Sequence, residues 1–315
     1  SKPFEIKFDK NEVINDGIKI GFFELISLIV KSTDQKKLND IELNKIKGMI
    51  ESFTIKEEKF IDDVYHVSLG VSFNKKKIFS FLEKNNIFPS VPSKKKFLFI
   101  PIIIDEKEND LLIFSNNKIF DNWNSSNETF HLIDYILLSE DLEDINLIKS
   151  KYETIEQYDF KEITDKYFLN DSIITLFFKR GNDVRVLSRI KIKDNINIKN
   201  QSFVNIDLND DNQTISIIND LKIIYEDYWK NKNQINTSIK LPLTIKASNS
   251  DNLKIANFEK TLNITDLIYN FSISKFDRDF IYYQIIFNGT PNIFLKTMGE
   301  NQFFFNTQNR IWILK

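Results

Sequence analysis

Cysteine is absent from this chain, and His66 and His131 are the only two histidines in 315 residues. Without thiols there is no disulfide, no thiolate nucleophile and no cysteine metal site, and two histidines are too few for a histidine-rich metal centre. Glycine is scarce, at seven residues, and neither phosphate-cradling pattern, G-x-x-x-x-G-K-[ST] or G-x-G-x-x-G, occurs. Ala247 and Ala256 are the only alanines, while Ile, Lys, Asn and Phe abound, as expected of codon drift in an A+T-rich genome. Runs of Lys and Asn therefore carry less meaning than usual. No apolar run reaches the ~20 residues that a bilayer span requires. Ile18–Val30 is interrupted by Lys19 and Glu24, and Phe97–Ile104 by Pro101. No secretion signal is visible, but the chain opens at Ser1 without methionine, which is consistent with a leader that has been removed.

Hydrophobic residues at 42% and aromatics at 13% are ample for packed cores. A net charge of −2 supplies no global field for nucleic acid or an anionic membrane. A chain of this length suits two or three compact units rather than one.

The apolar pattern gives three modules, 1–92, 93–238 and 239–315. In the first, Phe4, Ile6 and Phe8 alternate as a short strand. Val13, Ile14, Ile18, Phe22, Leu25, Ile26 and Ile29 then recur at helical spacing. Gly17 and Gly21 lie four apart on that helix, where they allow close approach to a sheet; a second helix is expected over Asp40–Ile50. Tyr65–Phe73 alternates large apolar with small or polar residues, the period of a half-buried strand. It pairs with Ser52–Lys59 through a turn at Ile61-Asp62-Asp63, and Asn74 caps a helix that buries Ile78, Phe81 and Leu82. Pro89-Ser90-Val91-Pro92-Ser93 reads as a linker.

In the second module Phe97–Ile104 is a continuous apolar run, typical of a strand covered on both faces. Helices at Leu142–Tyr152 and Ile155–Tyr167 precede a hairpin of Ile173–Phe178 with Arg185–Ile192; a strand at Ser202–Ile206 and a helix at Thr214–Lys230 follow. The third module reads strand, helix, strand, strand, helix, strand, with the last strand, Phe303–Leu314, broken near Gln308-Asn309. The fold class is α+β: two or three small α/β sandwich modules in series, the last ferredoxin-like.

Candidate chemistry is thin. His66 and Ser68 share one face of a strand, yet no nucleophile elbow surrounds the serine and no carboxylate is placed to orient the ring. Asp207-Leu208-Asn209-Asp210-Asp211 resembles the start of a calcium loop, but Asn212 replaces the turn glycine and Ile218 the bidentate Glu. A polar loop capping the next helix is the better reading. Lys75-Lys76-Lys77 and Lys94-Lys95-Lys96 are the only tight basic runs, and the nearby Phe79, Phe81 and Phe97 are spaced as core residues, so the lysines read as solvated. No catalytic residue, metal ligand or cofactor is assigned. An enzyme or small-molecule binder with a pocket between the first two modules is the alternative class.

Several segments carry a family resemblance. They include Gly21-Phe22-Phe23-Glu24-Leu25-Ile26-Ser27-Leu28-Ile29, Ile50–Lys59 followed by Tyr65–Asn74, and Phe97-Leu98-Phe99-Ile100-Pro101-Ile102. Asn116-Asn117 ahead of Asp121-Asn122-Trp123, Leu138–Leu142 and Arg310-Ile311-Trp312-Ile313-Leu314 complete the set. Together they resemble the DUF2066 family of proteobacterial envelope proteins in its alphaproteobacterial form. That family has no established activity, so the resemblance implies a periplasmic or outer-membrane-associated setting rather than a reaction. The expectation is a non-enzymatic interaction protein with an envelope or membrane-associated protein partner, and neither nucleic acid nor a small molecule as ligand. Trp123 is the expected contact residue, with Asn116 and Asn122 beside it, because Trp is enriched in binding hot spots; closing the second core is its competing role.

Overall fold

The computed structural model describes residues 2–3, 9–62, 64–114, 116–125, 131–237 and 239–315. The expected strand at Phe4, Ile6 and Phe8 and the turn residue Asp63 lie outside them. By packing, the chain divides into two compact units, Ser1–Val91 with Lys230–Lys315, and Pro92–Trp229. The first and third modules expected from sequence thus share one unit, and residues 230–238 belong to it as well.

The N-terminal part of that first unit runs β1 (Lys2–Pro3), α1 (Lys10–Ile29), α2 (Ser32–Gln35), α3 (Leu43–Gly48), β2 (Ile50–Ile61), β3 (Val64–Phe73) and α4 (Lys75–Lys84). Asp9 caps α1 by accepting from the backbone N–H of Asn11. The helix buries Val13, Ile18, Phe22, Ile26 and Ile29, as the 3.6-residue spacing dictates. Ile46 of α3, Ile78 and Leu82 of α4, and the distant Ile235 complete that core. Asn74 caps α4 as expected, but the third buried residue is Phe79, with Phe81 only partly covered. The sheet order is β1-β3-β2, antiparallel throughout.

Pro89–Val91 is held rather than a free linker. Ser90 N–H donates to Ile29 O at 2.6 Å, Ile235 N–H to Pro89 O at 2.7 Å, and Val91 N–H to Asn233 O at 3.0 Å. The prolines do enforce an extended path. What sequence could not show is the strand-like partner downstream, Gln234 bridging Ser90, with Asn233 and Ile235 bonded to its neighbours.

The second unit contains β4 (Lys95–Asp105), β5 (Asp110–Leu112), α5 (Lys118–Asn122), β6 (Ile133–Leu137), α6 (Leu142–Ser150), α7 (Lys161–Thr164), β7 (Ser172–Arg180), β8 (Asp183–Ile192), β9 (Asn195–Phe203) and most of α8 (Asp211–Lys232). Its sheet runs β5-β4-β7-β8-β9, with β6 parallel to β4. β4 is the doubly covered strand expected from its apolar run. Leu98, Ile100, Ile102 and Ile104 pack with Ile148 and Phe160 on one side. On the other side Phe97 meets Trp229, and Phe99 meets Trp123 and Tyr225. Gly181, at φ +67°, leads the two-residue turn between β7 and β8.

Two expectations change here. The helix over Ile155–Tyr167 contracts to α7, because Phe160 adopts the left-handed conformation at φ 55° while fully buried. A bulky residue there is an outlier that only its surroundings can hold. The strand expected at Ser202–Ile206 instead begins at Asn195.

The C-terminal part of the first unit has β10 (Lys240–Ser248), α9 (Asn252–Ile264), β11 (Ile268–Phe276), β12 (Phe280–Asn288), α10 (Pro291–Glu300), β13 (Phe305–Asn306) and β14 (Ile311–Leu314). Phe258 of α9 and Phe294 of α10 bury into one core with Tyr283 and Phe287 of β12. The sheet order is β11-β12-β10-β14-β13. This is the expected ferredoxin-like succession with one departure. The chain reverses between Asn306 and Ile311, around the expected break, so β14 lies parallel to β10. The molecule is α+β, built of small modules in series.

Candidate interaction surface

Trp123 is fully buried. Its ring stacks on Phe99 at 3.8 Å between centroids and meets Tyr135 edge-on at 5.3 Å. A side chain with no accessible surface offers nothing to a protein partner, so Trp123 takes the competing role and closes the core. Asn122 spends its amide on Lys118 O at 3.0 Å, and Asn116 is exposed. The residue that organises this segment is the one between them in sequence, Asn117. Fully buried, it caps α5 by accepting from the N–H groups of Ile119 and Phe120, and donates to Pro101 O and Leu112 O, both at 3.1 Å.

The other sequence candidates are also placed. His66 and Ser68 are exposed on β3, opposite Lys59 and Glu57 of β2, which form an ion pair with each other. Asp210 caps α8 by accepting from Asn212 and Gln213, and Asp211 pairs with Lys118 at 2.7 Å, so the Asp207–Asp211 stretch is the capping loop. The lysine run at the start of α4 is not simply solvated. Lys75 Nζ donates to Thr265 O at 2.6 Å, Lys76 to Asn270 Oδ1 at 2.5 Å, and Lys77 to Gly48 O at 2.9 Å. Burial holds the Lys75 ammonium below the ordinary lysine range, with Asp266 opposing that effect.

Sequence reasoning also missed a buried polar cluster in the second unit. Tyr225 Oη lies 2.8 Å from Thr175 Oγ1 and 2.7 Å from Ser188 Oγ, and burial pushes its pKa up to about 12. Glu226 accepts from the N–H groups of Leu132 and Ile133 at 2.9 and 2.7 Å, with His131 Nδ1 3.8 Å away. Burial, with Glu226 and Tyr225 nearby, raises the Tyr135 phenol well above its ordinary value. The only linear signal was the 3–4 residue spacing of Lys222, Tyr225, Glu226 and Trp229 on α8. These groups tie the helix to the strands beneath it.

Among the described residues, one apolar face left partly uncovered is on the first unit. α1 crosses β3 and stops there. Phe53 stands across from Val71 and Ile55 across from Leu69, so all four share the helix-facing side of the hairpin. Yet Phe53 and Ile55 remain 39% and 40% exposed, and Phe60, across from Tyr65, 59%. Between helix and hairpin runs a groove of about 520 Å³. Its floor is Val67, Leu69 and Val71; its wall on α1 is Gly17, Ile20 and Gly21, with Asp16 and Glu24 at the rim. Ile20 is 58% exposed.

Gly17 and Gly21 play different parts in this wall. A Cβ at Gly17 would meet Leu69 Cδ1, whereas one at Gly21 would meet nothing within 4 Å among the described residues. Gly17 therefore lets the helix approach the sheet, and Gly21 leaves the groove open. At its lower end Tyr65 Oη donates to Glu58 at 2.8 Å, and Lys10 pairs with the same carboxylate at 2.5 Å. Those two bonds, Lys10 first, hold the Glu58 carboxyl below its usual range. Among the described residues no strand pairs with the outer edge of β2, whose backbone departs from regular pairing near Glu51 and Lys56. Bulges and lysines of this kind discourage indiscriminate edge-to-edge pairing, which leaves the face rather than the edge as the available surface. Comparisons with known proteins return no matching family, no matching curated protein and no matching solved structure.

Proposed function

We propose that this chain is a non-enzymatic interaction protein whose contact surface is the uncovered helix-side face of the β2–β3 hairpin. One observation carries the reading: a single sheet face buries its half against α1 and exposes Phe53, Ile55 and Phe60 on the other half. Large apolar side chains clustered on one face of a small domain, rather than scattered, mark contact sites. The periplasmic setting and an envelope or membrane-associated partner come from the resemblance of the sequence segments, and belong to the same proposal.

The reading is tested with a photo-crosslinking amino acid at Ile55, on the helix-side face, and at Thr54, on the opposite face, in cells producing the chain. Support is a reproducible protein adduct at position 55 that is absent at 54. Equal labelling at both positions, or none at either, would remove the reading.

A further inference from the structure

The sheet edges of this chain differ in how well they are protected from a further strand. β1, β13, β5 and β6 have two, two, three and five residues. The pairings of β2 and β11 are each interrupted twice by register shifts. Short or bulged edges of this kind resist addition of another strand. β9 has neither protection. Its 9 residues, Asn195–Phe203, pair with β8 without a shift, and they include no proline and a single charge, Lys199. Among the described residues no strand lies on its outer side.

The turns at the two ends of β8 fix which groups of that edge are free. A two-residue turn joins Arg180 to Asp183 and another joins Ile192 to Asn195, so each couple is a mutually hydrogen-bonded pair. Counting along β8 from either turn gives the same alternation. Asn195, Asn197, Lys199, Gln201 and Phe203 bond to β8, while Ile196, Ile198, Asn200 and Ser202 turn their N–H and C=O groups outward. The side chains of the outward residues are exposed as well, Ile196 by 61% and Ile198 by 55%.

This edge complements itself. When identical strands pair antiparallel about a two-fold axis at Ile198, that residue meets its own copy, Ile196 meets Asn200, and Lys199 meets Asn197. No like charges then face each other. The isoleucines of both strands form one apolar cluster, because diagonal neighbours also touch. An axis at Lys199 would oppose two ammonium groups, which is destabilising. An axis at Asn200 would separate the isoleucines.

We infer that a second copy of this chain docks on β9, edge to edge and antiparallel about Ile198, so that the sheet of the second unit continues into that of its partner. The outward groups of Ile196, Ile198 and Asn200 exchange hydrogen bonds with the facing strand. The occupant is a copy rather than a foreign strand because the edge satisfies its own charge and apolar pattern, and two-fold pairs are the commonest closed assembly of soluble chains. β9 and the hairpin face belong to different units, so the two surfaces stand or fall separately.

The test is sedimentation equilibrium of the full chain across the micromolar range, with variants at an exposed position that spare the fold. The unaltered chain should follow a monomer–dimer equilibrium. Ile198→Pro removes an N–H that points away from β8, which an edge strand tolerates, and Ile198→Lys sets like charges on the axis. Each should raise the dimer dissociation constant about tenfold or more while circular dichroism stays unchanged. The chain has no cysteine, so Ile198→Cys offers one thiol per copy. Facing Cα atoms in such a pair lie about 5.5 Å apart, within reach of a disulfide. Mild oxidation should therefore give a covalent dimer, whereas Ile273→Cys, equally exposed on the shifted edge of β11, should not. A monomer at every concentration, a dimer indifferent to both Ile198→Pro and Ile198→Lys, or equal crosslinking at the two cysteine positions would overturn the inference.

Discussion

Leu69 occupies the space that a side chain at Gly17 would need: its Cδ1 lies 2.5 Å from where a Cβ would stand. Four residues on, a Cβ at Gly21 would meet no atom of the described residues within 4 Å. The two glycines should therefore respond oppositely to one change. Gly21→Ala should raise stability by about 1 kcal/mol, the helix-propensity gain. Gly17→Ala should lose that gain and more, a net destabilisation of about 1–2 kcal/mol from overpacking. Denaturant melts of both variants decide it; equal shifts would contradict the placement of α1 on β3.

Trp123→Ala removes a ring packed on Phe99, Tyr135 and Tyr225 and should destabilise the second unit by about 3–5 kcal/mol. A loss below about 1 kcal/mol in chemical denaturation would show that the residue is not in the core.

Tyr225→Phe leaves the hydroxyls of Thr175 and Ser188, both buried, without their shared partner. The expected loss is about 2 kcal/mol, the range for buried polar groups left unpaired. The Tyr225→Phe/Thr175→Val/Ser188→Ala triple variant should recover part of that loss, and an absence of recovery would point to packing instead.

Asp105 closes the end of β4 on β7. Its carboxyl is held below the usual range first by the hydrogen bond from Lys179 at 2.9 Å, then by the N–H groups of Glu108 and Lys107. A depressed carboxyl stabilises the fold fully above its unfolded pKa, about 4, and that contribution is lost as pH falls through the folded value. Stability should therefore decline on acidification below about pH 4, and Asp105→Asn should flatten that decline while lowering stability at neutral pH. Unfolding titrations at stepped pH read both effects.

Much of the fold was legible because the relevant signals are local. The alternation of Tyr65–Phe73, the apolar run at Phe97–Ile104 and the hairpin of Ile173–Phe178 with Arg185–Ile192 each gave the right element. What failed depended on tertiary context. Phe160 and Phe168 sit in left-handed conformations that no propensity favours, so an apolar spacing that looked helical was satisfied by a loop. The stretch 195–200 alternates with the period of two of a strand, but the expectation there covers only Ser202–Ile206. The groove was half visible: Gly17 and Gly21 were noticed, but which one faces Leu69 and which faces emptiness depends on how the helix is rotated. Trp123 drew attention for its residue type, when Asn117, six residues earlier, does the organising.

Ile235 seals a core otherwise built from residues 18 to 87, and the strand-like contacts of Pro89–Val91 wait on Asn233 and Ile235. On a ribosome adding roughly 5–20 residues per second, that gap lasts on the order of ten seconds. Over that time the first core lacks Ile235 and the backbone partners of Pro89–Val91, while Pro92–Trp229 needs no residue beyond itself to form its sheet. The nascent chain thus finishes its middle before its beginning, and an arrested chain ending at Trp229 should be cut by protease within the first 91 residues but not within the sheet that follows.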